Sequence, residues 1–203
     1  MLSVRTVFVL AAIAILGLSA CSGAEAPQSP PEMTPPPAVA ETGFVTATVT
    51  ADFDMSVTEL RAYMTENSIV DYMEETGEIA KPVGQDILEG SWPEVGAVRR
   101  IELSDGHYVI ERIVLNEPEK FRYQIWVLTN ASGRAVEQIV GEQRWIATGP
   151  NTSRFEWDYH IVPRYFFLRP IVARIRTNSI QPFLQGALDR MAADVPAPPS
   201  PAS

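Results

Sequence analysis

GAVRRIELSDGHYVIERIVLNEPEKFRYQIWV, residues Gly96 to Val127, reads as three long antiparallel strands joined by two turns. Asp105-Gly106 is the hairpin signal of the first turn, because glycine accepts the positive φ that tight turns need. Asn116-Glu117-Pro118-Glu119 supplies the second turn, with proline fixing φ. Loop length decides which face of the first hairpin is inside. A two-residue loop at Asp105-Gly106 sets Arg100 opposite Glu111 and gathers Ile101, Leu103, Tyr108 and Ile110 on the apolar face. Glu111 is then half of a cross-strand ion pair contributing about 0.2–1 kcal/mol. A longer loop reverses the assignment and turns Glu111 into an interior carboxylate, because a one-residue slip sends every side chain to the other face.

Downstream, Asn130 to Gly133 is a turn, Arg134 to Ala147 a strand, and Gly149-Pro150-Asn151 a further turn. The next strand has the cleanest period-two pattern in the chain. Phe155, Trp157, Tyr159 and Ile161 alternate with Arg154, Glu156, Asp158 and His160, so one face is aromatic and the other charged. From Tyr165 to Ala192 the period becomes helical, with Ile171, Ile175, Ile180, Leu184, Leu188 and Met191 on one stripe. Roughly 28 residues at ~1.5 Å each span ~42 Å, enough to cross a whole sheet. Pro182 removes one hydrogen bond and predicts a kink.

Upstream, Phe44 to Ala51 alternates as a strand. Ser56-Val57-Thr58-Glu59 is a capping box that opens a short helix through Met64, with Val57, Leu60 and Met64 inward. Ser68 caps a second short helix with Ile69, Tyr72 and Met73 inward and Gly77 as its stop. Val83 to Gly90 is a weaker strand.

The ends are of another kind. Met1 to Arg5 and the apolar run Val7 to Leu18 read as a leader over 1–20, too short for a comfortable membrane span. Leu18-Ser19-Ala20-Cys21 resembles the lipobox of a bacterial lipoprotein precursor, which implies lipidation of Cys21 and a membrane anchor. Ser22 in place of aspartate favours the outer membrane, facing the periplasm. Residues 21–43 hold six prolines and no lysine or arginine, and read as an extended tether of up to ~60 Å. Residues 194–203 read as a frayed proline-rich tail, leaving 44–193 as the folded domain.

The net charge of −9 argues against nucleic acid as a partner. The single cysteine excludes an internal disulfide and a cysteine zinc site, and neither an HExxH nor a GxSxG motif is present. No metal or cofactor site is expected. His107 falls at a hairpin turn and His160 on a polar strand face.

The order of strand, two short helices, six strands and a long helix, together with Val95-Gly96-Ala97-Val98-Arg99-Arg100 leading to Leu103-Ser104-Asp105-Gly106, resembles the START-like, Bet v 1-like superfamily, which includes polyketide cyclase/dehydrase relatives. Val109-Ile110-Glu111-Arg112, Phe121-Arg122-Tyr123, and Thr152, Phe155 and Trp157 continue the likeness over Phe44 to Ala192. The resemblance implies an α+β helix-grip fold: a seven-stranded curved antiparallel sheet gripping the long C-terminal helix, with two short helices and an apolar cavity between. It specifies no activity, because the superfamily mixes binders and enzymes.

On that frame Tyr108, Ile110, Phe121, Tyr123, Phe155, Trp157, Tyr159 and Ile175 are expected to line the cavity and contact an apolar small molecule or lipid. The competing reading is a filled core. Arg164, Arg169, Arg174 and Arg176 flank Tyr165-Phe166-Phe167-Leu168, with no acid between Asp158 and Asp189. This run is either a lipid-facing entrance or a helix start with solvated arginines and buried aromatics. Three functions follow: a tethered binding module, which is the leading one; a cyclase-like enzyme using Tyr and Glu side chains; and an envelope scaffold with no ligand.

Overall fold

The computed structural model describes residues 26–27, 34–76 and 79–195. The leader, Cys21, Ser22, Gly77 and the tail beyond Val195 lie outside the described residues. The chain runs through β1 (Val45–Phe53), α1 (Val57–Glu66), a 3-10 turn (Ile69–Tyr72), β2 (Pro82–Glu89), β3 (Val98–Leu103), β4 (Tyr108–Glu117) and β5 (Lys120–Leu128). A second 3-10 turn (Ala131–Arg134), β6 (Val136–Gly149), β7 (Thr152–Pro163), a third 3-10 turn (Phe166–Leu168), α2 (Arg169–Ile175) and α3 (Gln181–Asp194) follow. The seven strands form one sheet in the order β1-β7-β6-β5-β4-β3-β2, and each pairing is antiparallel. This is the helix-grip architecture, with α3 laid across the concave face.

Local chemistry explains the elements. Ser56 accepts from the Glu59 N–H while the Glu59 carboxylate accepts from the Ser56 N–H, so both free donors at the start of α1 are satisfied. The second short helix is only the 3-10 turn Ile69–Tyr72, capped by Ser68 and ended at Met73. The long C-terminal helix is two α-helices joined by a π-helical turn, Arg176–Ile180. There the Gln181 N–H reaches back to the Arg176 carbonyl. The wide turn re-partners the backbone just ahead of Pro182, which has no N–H to give. α3 buries Phe183, Leu184, Ala187, Leu188 and Met191 against Trp157, Val49 and their neighbours.

The first hairpin corrects the two-residue expectation. Its loop is three residues, Ser104-Asp105-Gly106, closed by the Leu103 N–H donating to the His107 carbonyl at 2.8 Å, with Gly106 at φ 80°. Arg99, not Arg100, therefore faces Glu111, and Ile101 pairs with Val109. The extra residue exchanges the faces. Arg99, Ile101, Leu103, Val109 and Glu111 point inward, while Tyr108 and Ile110 join Val98 and Trp126 in a separate cluster on the convex side. Trp126 reaches that side by alternation with Tyr123 and Ile125, at a bulge in β5 where the register against β4 shifts between Val127 and Ile125.

Part of the stretch read as tether covers this second cluster. The Trp126 indole N–H donates to the Thr34 carbonyl at 2.8 Å. Gln124, fully buried, donates to the Pro37 carbonyl at 3.2 Å. Gln138 donates to the Ala38 carbonyl and accepts from the Ala40 N–H. The segment thus lies against the sheet, offering the carbonyls of Thr34, Pro37 and Ala38 to the Trp126 indole and to the side-chain amides of Gln124 and Gln138.

A chain starting at residue 42 is expected to be less stable than one starting at residue 34 by about 2–4 kcal/mol, the scale of a few lost hydrogen bonds plus an uncovered tryptophan. Urea unfolding of the two chains checks this, and equal midpoints would mean that residues 34–41 contribute nothing.

Candidate functional site

A cavity of about 530 Å³ lies between the concave face of the sheet, α1 with its following turn, and α3. Its walls are mainly apolar and aromatic, with a few polar groups converging inside, as in small-molecule sites generally. Phe121, Tyr123, Trp157 and Tyr159 line it, joined by Trp92 and Trp145, which the sequence reading did not single out. Phe155 and Ile175 pack in the core without reaching the cavity. Tyr108 and Ile110 are on the opposite face for the register reason above.

The tyrosines owe their place to a missing side chain. Gly141 on β6 lies directly between Tyr123 on β5 and Tyr159 on β7. A Cβ at Gly141 would fall inside the Tyr123 ring. With none there, the Tyr123 and Tyr159 rings lean together at 6.5 Å between centroids. The Trp157 indole N–H donates to the Tyr123 hydroxyl oxygen at 3.1 Å and fixes that ring. Among the described residues the Tyr159 hydroxyl has no protein partner. Burial pushes both phenols above their ordinary range, with the Glu111 carboxylate adding to the effect, so both are hydroxyl donors at neutral pH.

The other polar group is the Arg99–Glu111 pair. The Arg99 Nε–H donates to Glu111 Oε1 at 2.6 Å, and its Nη1–H donates to Gln85 Oε1 at 2.7 Å. The guanidinium carbon lies 3.7 Å from the centroid of the Trp92 ring. Glu111 is 3% exposed, which makes it an interior carboxylate rather than a surface partner. Burial raises its pKa, and the charge and hydrogen bonds of Arg99 offset that only in part. A carboxyl that holds its proton more tightly than usual can act as an acid or base toward a ligand, and the neighbouring phenols can hold a ligand oxygen. Arg61 on α1 is the remaining charged group in the wall. Its position was available from the sequence, since it follows Val57 by four residues and precedes Met64 by three.

Among the described residues no group of His, Cys, Asp and Glu side chains could hold a metal ion. No helix among them is long and apolar enough to cross a membrane.

No protein-family profile matches the chain, and no curated protein matches it in sequence. Solved structures do. Ginseng major latex-like protein 151 from Panax ginseng superposes with a TM-score of 0.55 at 15% identity, over 76% of this chain and 100% of that one. A START superfamily protein from Mycobacterium smegmatis gives a TM-score of 0.52 at 12% identity, over 73% of this chain and 97% of that one. The Zhui aromatase/cyclase from a Streptomyces species gives 0.51 at 16% identity, over 76% of this chain and 97% of that one. The chain therefore has the START-like, Bet v 1-like fold, a likeness that extends to architecture and not to activity.

Gly141→Ala is expected to displace the Tyr123 ring and cost about 1–3 kcal/mol, the usual effect of overpacking. Denaturant unfolding, with Trp157 fluorescence as a local probe, measures both. The Glu111 carboxyl makes a further prediction. In the unfolded chain it ionises near its ordinary value of 4.5, while the folded group still holds its proton. Its contribution to stability is thus present below that pH and lost as pH rises through the folded value. Urea midpoints of the native protein should fall relative to those of Glu111→Gln as pH rises above 4.5; parallel profiles would contradict the shift.

Proposed function

We propose that the protein is a binding module for an apolar or amphipathic small molecule, held between the sheet and α3. The carrying observation is the cavity itself. About 530 Å³ remains between packed layers whose other side chains are buried to close contact, and two phenol donors face into it. A filled-core scaffold has no use for that space.

The address belongs to the same reading. Lipidation of Cys21 would hold the module at the bacterial envelope, on the outer membrane facing the periplasm. The basic-aromatic run supports a membrane-facing entrance. Tyr165, Phe166 and Phe167 are exposed, Phe166 by 89%, contrary to the alternative in which they are buried. Arg164 donates to the Gly133 and Val136 carbonyls and so fastens this tip to the loop carrying Asn130 and Ser132, two residues of the cavity wall. Aromatic side chains beside arginines suit the headgroup region of an anionic bilayer.

The second reading is an enzyme resembling the aromatase/cyclases. Glu111 favours it, being a buried carboxyl with a raised pKa in one cavity with Tyr123 and Tyr159. In that reading Glu111 moves the proton and the phenols orient a substrate carbonyl.

Native mass spectrometry with solvent extraction tests the leading reading. The sample is the chain expressed in its own compartment as Cys21→Ser, which is expected to leave the membrane fraction. A stoichiometric apolar adduct is the expected result and identifies the ligand class. A clean apo mass, with no thermal shift across a lipid panel, would overturn the carrier reading.

A further inference from the structure

Three ionised side chains line the cavity: Arg61, Arg99 and Glu111. Arg99 and Glu111 cancel, with Nη2 and Oε1 2.5 Å apart. Arg61 has no carboxylate within ion-pair distance among the described residues. In a chain of net charge −9, the cavity wall thus carries one uncompensated positive charge.

The surroundings of Arg61 resemble a held receptor more than a solvated surface arginine. Its guanidinium carbon sits 4.0 Å from the centroid of the Trp145 ring and 5.7 Å from that of Phe121. Asn116 Oδ1 accepts one of its N–H groups, and the Asn116 side chain is itself fixed by donating to the Pro93 carbonyl at 2.8 Å. A guanidinium has five N–H donors, so most of the fork is left for another partner. Partial burial holds its pKa below the ordinary 12.5, with no nearby anion offsetting that cost.

We propose that Arg61 is the headgroup subsite of the cavity, and that the ligand is a long-chain amphiphile with a carboxylate or phosphate head. The head meets the planar fork of Arg61, which suits either anion in a two-point contact. The tail runs from the Trp145 and Phe121 rings toward Tyr123 and Trp157. This assignment rests on the carrier reading and deepens it by giving the ligand a charge.

The test is competition on the full chain, in a non-ionic detergent removed during native mass spectrometry. The protein is equilibrated with equimolar hexadecanoic acid and hexadecan-1-ol, then with hexadecyl phosphate added. The acid adduct is expected to exceed the alcohol adduct by about tenfold or more, the fold-change given by one charge-assisted contact. Arg61→Gln should erase that preference while still binding the alcohol, which also shows that the variant is folded. Arg61→Lys should keep part of it. The phosphate competitor separates the two head classes: a phosphate adduct that displaces the acid assigns the site to phosphate, and an unchanged acid adduct assigns it to carboxylate. Equal acid and alcohol adducts in the native protein, or a preference that survives in Arg61→Gln, would overturn the headgroup subsite and leave the carrier reading intact. Binding of none of the three would overturn both.

Discussion

One residue in a loop decides what this cavity contains. Ser104-Asp105-Gly106 is three residues long, so Glu111 joins Arg99 between the sheet and α3 instead of pointing out with Arg100. With a two-residue loop β4 would present Tyr108 and Ile110 to the cavity beside Ile101 and Leu103, and Glu111 would face out opposite Arg100. The buried ion pair at the β3–β4 side of the site, Arg99 with Glu111, depends on that register. At the other side the depending feature is Gly141, whose lack of a side chain lets two strands on either side of β6 tip their tyrosines together.

The architecture was legible because its signals are local and repeated. β7 alternates over its whole length, the capping box marks α1, and Gly and Pro punctuate the strands. The register of β3 and β4 was not legible, for a physical reason. Both faces of these strands carry apolar residues: Ile101, Leu103 and Val109 inside, and Val98, Tyr108 and Ile110 outside. Alternation cannot choose between two apolar faces, and the convex one is apolar because the chain's own proline-rich segment covers it. The error in placing Tyr108 and Ile110 and the error in reading residues 34–41 as free tether are one error. Pro182 announced a disruption of the C-terminal helix, but its π form was not legible, since a widened turn leaves no side-chain period to read.

The site itself was half legible. Phe121, Tyr123, Trp157 and Tyr159 were placed by strand period alone and line the cavity. Phe155 shares their face but is packed under Trp145, at 5.2 Å between ring centroids. Ile175 is the last residue before the helix widens and packs beside the core. These distinctions depend on depth along the sheet, which a period of two does not encode. The charged members, Arg61, Arg99 and Glu111, were harder still, because a charge on an apolar stripe reads as a boundary of the stripe until its partner is seen.

The covered convex face also sets how the molecule would hang from a bilayer. Were Cys21 the point of attachment, the chain would already lie on the convex side of the sheet by Thr34, where it meets Trp126, and not only from the start of β1. Those thirteen steps reach at most about 45 Å when fully drawn out. The leash would then pull on the back of the sheet, near the C-terminal end of the interior strand β5, and not on the sheet's edge. A load applied there leaves the opposite side, with α3 and the aromatic tip, free to swing, so the domain would pivot like a gimballed dish instead of trailing from one end.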